Sequence, residues 1–296
     1  MPFETHPNGF AVSIEVVPPA GPDARPILDA LEALAPLPFD AFSVASNPVA
    51  KPRMSALTLS GLIQQRTGRP AIVHVTTRDH NRLSLQSLLW GARASGIRTV
   101  LAATGDYVAL GERARTTTVR DVDVFDLVRM AREAGLRTGV VFQPHQDPKK
   151  LDLEVRRLER KVQAGAQFFV TQPVYDGKAA GALRSTLCLR TGQAAAAVAE
   201  ATQGIGIPGI MGILPLRSAR HALFLDHNVA GITVPHEVQE RMRLAADPVA
   251  EGAVGAREML AIARELFAGA CIMPPFDHYE VLFDILRLEK GGTGET

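Results

Sequence analysis

Cysteine is scarce: Cys188 and Cys271 are the only two in 296 residues. Two thiols, one in a helix-like and one in a strand-like apolar segment, build no disulfide framework. They read as buried thiols in a reducing cytoplasm. A structural zinc site needs about four closely spaced ligands, and no such spacing occurs, so no metal is expected. Charge of one sign is missing too. Lys+Arg number 32 against 31 Asp+Glu, a formal charge of +1, and no basic run occurs, so neither nucleic acid nor a membrane surface is an expected partner. No apolar run approaches about 18 residues, so nothing is expected to span a bilayer. The opening segment MPFETHPNGF has no positive start followed by an apolar stretch, so no signal peptide is expected and the location reads as cytoplasmic.

What remains is a chain that is 46% hydrophobic, long enough to bury a sizeable core. Eight short apolar runs read as strands: 11–17, 40–45, 71–76, 98–103, 137–142, 167–172, 207–214 and 269–274. Helix-like segments separate them. Residues 81–95 start at Asn81, place Leu85, Leu88, Leu89 and Ala92 on one face and stop before Gly96. Residues 148–164 are opened by the cap and proline Asp147-Pro148; Leu151, Val155, Leu158 and Val162 repeat at helical spacing, and Gly165 ends the segment. Strands alternating with helices imply a parallel sheet, and eight repeats imply an α/β fold closed as a (β/α)8 TIM barrel, one domain over residues 1–296. An open doubly wound sheet is the other arrangement such alternation allows. The tail KGGTGET reads as frayed.

A closed barrel predicts its site at the C-terminal ends of the strands. In AVSIEVVPP, Val12, Ile14 and Val16 share one face and Ser13 and Glu15 the other. The apolar face suits the helices, so Glu15 should point inward. A carboxyl there is poorly hydrated and its pKa should rise, as a general acid near neutral pH requires; a buried Glu paired with a basic neighbour is the competing reading. His74 shares a face with Ile72 and Thr76, and is either a hydrogen-bonded core residue or part of a site. Thr76, Thr77 and Arg78 lie at that strand's end. Thr104, Gly105 and Asp106 open a long polar loop reaching Asp121, of a kind that often covers sites, although Gly-Asp is also ordinary turn chemistry. His145 precedes a helix whose N-terminus would suit a phosphate, with Arg160 and Lys161 further along it. Gln172 places an amide where strand six meets the mouth, a donor and acceptor suited to a heterocycle. The stretch GIGIPG, residues 204–209, fits G-x-G-x-x-G, but it precedes an apolar strand and contains proline, so it is read as accidental.

In order, Glu15 in SIEVVPP, then HVTTRD, TGD, ERKVQAGAQFFVTQP and GILPLRSAR resemble the methylenetetrahydrofolate reductase family, over about residues 11–288. Two longer stretches, TTRDHNRLSLQSLLWGARASGIRTVLAATGD and FLDHNVAGITVPHEVQERM, are similar to the branch that some bacteria fuse behind a homocysteine methyltransferase domain. The resemblance implies a (β/α)8 barrel holding FAD at its mouth. NADH or NADPH reduces the flavin, which passes hydride to 5,10-methylenetetrahydrofolate, a step of one-carbon metabolism feeding methionine biosynthesis. By position, Glu15 resembles the general acid, Asp106 the carboxylate that contacts the pterin, and Gln172 the amide that meets folate and nicotinamide in turn. His74, Thr104, Gly105, Asp106, His145, Glu154, Arg160 and Lys161 fall where the family binds FAD. There are departures: Thr104 replaces an arginine, Glu154 an aspartate and Arg157 an asparagine. Phe142 stands for an aromatic near the end of strand five, without a hydroxyl. His278 replaces an arginine that meets the folate tail. These departures extend the implied activities to a flavin-free or reverse-running enzyme; the branch's joining to a methyltransferase adds a non-catalytic folate-binding subunit of a methyl-transfer complex. Further copies of the chain or a methyltransferase are the implied protein partners.

Overall fold

The computed structural model describes residues 9–108, 115–145, 147–175, 193–229, 231–275 and 278–287. Eight parallel strands close in chain order into a barrel. They are β1 (Ala11–Val16), β2 (Ala41–Val44), β3 (Ala71–Thr76), β4 (Thr99–Ala103), β5 (Arg137–Phe142), β6 (Phe168–Pro173), β7 (Gly209–Ile213) and β8 (Gly269–Ile272). Each lies within a residue or two of its expected run. The last strand pairs with the first, Ser13 opposite Cys271, so the sheet is closed rather than open. The helices are α1 (Arg25–Glu32), α2 (Ala56–Thr67), α3 (Arg82–Ala94), α4 (Val124–Glu133), α5 (Pro148–Gln163), α6 (Gln193–Thr202), α7 (Ala219–Asn228), α8 (His236–Leu244), α9 (Pro248–Leu266) and α10 (Val281–Leu286). None of these is long and apolar enough to cross a membrane.

The start signals act locally. The Asn81 side chain accepts the Ser84 N–H at 2.9 Å and opens α3. Asp147 accepts the Lys149 N–H at 2.9 Å and opens α5, where the proline that follows needs no donor. Residues 204–209 connect α6 to β7; they precede a strand and form no nucleotide-binding turn.

Alternation along each strand divides the core in two. Val12, Ile14 and Val16 join the large apolar shell between strands and helices. Ala11, Ala41, Ile72, Leu101, Phe168, Val170, Ile210 and Cys271 fill the barrel. Phe168 occupies the space that Gly139 leaves open, since a Cβ on Gly139 would lie 2.2 Å from its ring. Further along four of the strands the interior face turns polar, with Ser13 and Glu15 on β1, Ser43 on β2, His74 and Thr76 on β3 and Gln172 on β6. The barrel is thus apolar at its base and polar at its C-terminal mouth.

Between β7 and β8 the simple alternation breaks. Helix α9 packs on both strands and makes the crossover. Helices α7 and α8 pack on each other over a satellite core of Tyr175, Leu216, Leu225, Ile232, Val234 and Met242. Cys188, part of the loop after Asp106 and the KGGTGET tail lie outside the described residues; Cys271 is a free, buried thiol.

Candidate active site

Glu15 reaches the mouth from β1, partly buried. Its pKa is raised from 4.5 to about 7, first by burial and second by the charge of Asp106. The neighbour that acts on it is therefore another acid, and the paired-with-a-base reading does not describe this site. A carboxyl of this kind keeps its proton up to neutral pH, as a proton donor must.

Asp106 follows the sharp turn at Gly105, where φ is +90° and a Cβ would lie 3.2 Å from the Cβ atoms of Thr76 and Arg78. Only glycine lets the β4 loop cross the end of β3 this closely. Asp106 then turns out to be a turn residue and a mouth residue at once, and the turn it holds belongs to another loop. Its Oδ2 accepts the Val49 N–H at 2.5 Å. Its backbone carbonyl accepts from the buried guanidinium of Arg78.

The loop gripped in this way is strained. Asn47, Val49 and Ala50 all have positive φ, at 44°, 51° and 56°. Left-handed backbone is costly for residues with a Cβ, and most for a β-branched one. Such conformations persist where surrounding contacts over-determine them, often at functional sites. Here Asn47 Nδ2 donates to Asp79 at 3.2 Å, Asn47 Oδ1 accepts the Arg53 N–H at 2.9 Å, and Arg78 binds Asp79 with two guanidinium nitrogens. The β2, β3 and β4 loops form one hydrogen-bonded rim. Asn47, Val49, Ser43 and Asp79 were not singled out from the sequence. Ser43 could have been, because DAFSVA alternates polar with apolar just as the Glu15 strand does.

Inside the rim, His74 Nε2 lies 2.7 Å from Ser43 Oγ. Burial lowers the His74 pKa to about 4 and keeps the ring neutral. Thr76 Oγ1 is buried with no hydrogen-bond partner among the described residues. Gln172, on the interior face at the end of β6, is partly exposed to the mouth, as is His145 after β5. Thr104 is exposed, and its carbonyl accepts the Arg78 N–H at 3.1 Å. His278, after β8, turns to Glu280 with Nδ1 to Oε1 at 2.6 Å.

Three positions make protein contacts of their own. Phe142 is wholly buried in the outer shell against Phe169; Gly139 and Val141 hold the interior face of β5, so alternation turns Phe142 away from the mouth. Arg160 stacks on Phe125 of α4, its Cζ 4.2 Å from the ring centre. Lys161 is not a solvated surface cation: it is buried and donates to the Val141 carbonyl at 2.6 Å, with Glu154 at 3.5 Å. Burial lowers its pKa, and Glu154 opposes that shift. Arg157 also faces Glu154, at 3.9 Å. Of the four charged positions along α5, Glu154 and Lys161 are thus engaged beside the C-terminal end of β5, while Arg157 and Arg160 are exposed.

Two curated relatives are both named 5,10-methylenetetrahydrofolate reductase. The one from Pectobacterium carotovorum is 27% identical over 69% of this chain and 64% of its own length. The one from Salmonella typhimurium is 26% identical over 71% of this chain and 66% of its own length. The matches therefore span slightly less than two thirds of either relative. Among solved structures, a Clostridium thermocellum protein that binds two copies of 5-methyl-5,6,7,8-tetrahydrofolic acid shares the fold, with a TM-score of 0.64 at 14% identity over 94% of both chains. A mutant tryptophan synthase α-subunit from Pyrococcus furiosus shares it at 0.52 and 12% identity, over 94% of this chain and 98% of that one. The family model described as methylenetetrahydrofolate reductase matches residues 4–276, nearly the whole chain, and the chain belongs to that family.

Proposed function

We propose that this chain reduces 5,10-methylenetetrahydrofolate to 5-methyltetrahydrofolate. The observation that carries the proposal is the pair of carboxylates in the mouth, Glu15 held protonated to about pH 7 beside the charge of Asp106. Glu15 gives its proton to N10 of the substrate as the bond from the methylene carbon to N10 breaks. The five-membered ring opens and leaves a cationic iminium at N5. Asp106, exposed at the rim, brings a negative charge to that cation, beside the buried Glu15. The amide of Gln172 orients a heterocycle against the pair. Hydride then reaches the methylene carbon and makes the methyl group.

In this family reading bound FAD would supply the hydride chemistry, with NADH or NADPH as the source, and the mouth would hold its ring. The interior edge of β3 fits a flavin ring: His74 presents a free ring nitrogen and Thr76 an unpartnered hydroxyl. On the phosphate side, Arg160 is stacked on Phe125 and Lys161 is bonded to the Val141 carbonyl, so both already have protein partners. That commitment favours a second reading, in which nicotinamide passes hydride directly to the folate.

The test is the visible spectrum of purified protein, followed by NADH and NADPH oxidation with methylenetetrahydrofolate, with and without added FAD. Turnover is expected. A yellow, stoichiometric flavoprotein supports the first reading, and a colourless protein that turns over without FAD supports the second. No turnover under any of these conditions overturns the proposed activity.

A further inference from the structure

Below Glu15 lies a closed polar set. Ser43 is 2% exposed, and its Oγ meets His74 Nε2 at 2.7 Å. Ser13, opposite Cys271 across β1 and β8, and Ser43 both act on the Cys271 thiol, which is 1% exposed. His74 retains some exposure. Because its Nε2 edge faces buried Ser43, the exposed edge is the other one, and Nδ1 has no partner among the described residues. Thr76, two residues further along β3 on the same face, is 4% exposed with its hydroxyl unpartnered.

Counting protons in this set fixes its polarity. Burial and the charge of Glu15 push the Cys271 thiol up to about 12, so it keeps its proton. Burial also keeps His74 neutral, so its ring carries one proton. The Ser43 hydroxyl has one proton to give, to the sulfur or to Nε2. Thiol sulfur is a weak acceptor, whereas an unprotonated imidazole nitrogen is a good one. In a dry floor a well-matched hydrogen bond outweighs a weak one by more than it would in water. Ser43 therefore donates to Nε2, the Cys271 S–H donates to a serine oxygen, and the ring proton stands on Nδ1.

We propose that Ser43 and Cys271 are positioning residues that set the His74 tautomer, so that β3 offers the mouth a fixed neutral donor, His74 Nδ1–H, with the Thr76 hydroxyl above it. Alternate residues of a strand stand about 7 Å apart, a span that suits one edge of a fused heteroaromatic ring with a carbonyl oxygen or ring nitrogen opposite the donor. This deepens the reading of the mouth as a heterocycle site and rests on it. A charged ring at that place would favour anions instead. A ring with its proton on Nε2 would present only a lone pair.

Long-range proton–nitrogen NMR of the ligand-free protein reads the tautomer directly, with the His74 signals assigned by their loss in His74→Asn. The expected wild-type pattern is a protonated Nδ1 and an unprotonated Nε2. Ser43→Ala should move the proton wholly or partly to Nε2; Cys271→Ala should do so in part, and Cys271→Ser, which keeps a donor, should restore the wild-type pattern. Adding FAD to wild type should shift the Nδ1 signal. A wild-type ring protonated at Nε2, or a pattern unmoved by Ser43→Ala, overturns the inference. If a variant does not fold, the wild-type tautomer decides alone. The readout needs no turnover, so it is independent of whether folate is the substrate.

Discussion

Replacing Glu15 with Gln should make the protein more stable, by an amount that grows with pH. Below pH 4.5 a carboxyl is neutral in both the unfolded chain and the folded mouth, so burying it carries no ionisation penalty. Between 4.5 and about 7 the unfolded chain ionises while the folded protein holds its proton. The folded state binds more protons, so stability falls as pH rises. A shift from 4.5 to about 7 corresponds to a full penalty of about 3 kcal/mol above neutrality, at about 1.4 kcal/mol per unit. The part already felt at pH 5.5 is about 1.4 kcal/mol, so the advantage of Glu15→Gln should grow by about 2 kcal/mol between pH 5.5 and 8.5. In melting temperature that is a gap widening by about 3 °C, since unfolding entropy scales with the 296-residue length. Thermal unfolding of both proteins at the two pH values measures it, and titrating groups not coupled to Glu15 cancel in the difference. The same comparison in an Asp106→Asn background should give a smaller widening, because the second cause of the shift has been removed. A gap independent of pH, or a Glu15→Gln protein less stable at pH 8.5, would refute the placement of Glu15 as a desolvated acid. The expected outcome is also a trade of stability for function: the gain should accompany a large loss of the proposed reductase turnover.

Two further outcomes follow from the rim and from α5. Asp106→Ala should speed hydrogen exchange at the Val49 amide by roughly 10-fold or more, the loss of a hydrogen bond to a charged acceptor, while Asp106→Asn, which keeps an acceptor oxygen, should retain part of the protection; amide exchange by NMR or mass spectrometry reads both. Glu154→Ala should destabilise the protein by about 3 kcal/mol in urea unfolding, because it leaves buried Lys161 without its carboxylate, whereas the Glu154→Leu, Lys161→Met double variant should recover most of that loss.

Much of the barrel was legible because its signals are local. A period of two in AVSIEVV assigns Glu15 to one face whatever the strand pairs with. Asn81, Asp147 and Pro148 start helices through contacts within the same turn. Where a local rule and a positional expectation disagreed, the local rule held: alternation along β5 turns Phe142 outward against Phe169. The α7–α8 excursion was missed because its residues bury their apolar faces on each other and on Tyr175, a pairing that no window of sequence displays.

The sequence by itself determined the eightfold alternation of strands and helices, the inward face of β1 and the polar ends of the strands, since backbone periodicity and capping act over a few residues. Tertiary structure alone decided what those polar ends do. Asp106 grips Val49 from 57 positions away, and Glu15 keeps its proton because barrel closure removes water and brings another acid to the same mouth. Lys161 turns inward because Val141 and Glu154 wait there. Burial and charge act through space, and neither is set until the last strand has closed on the first.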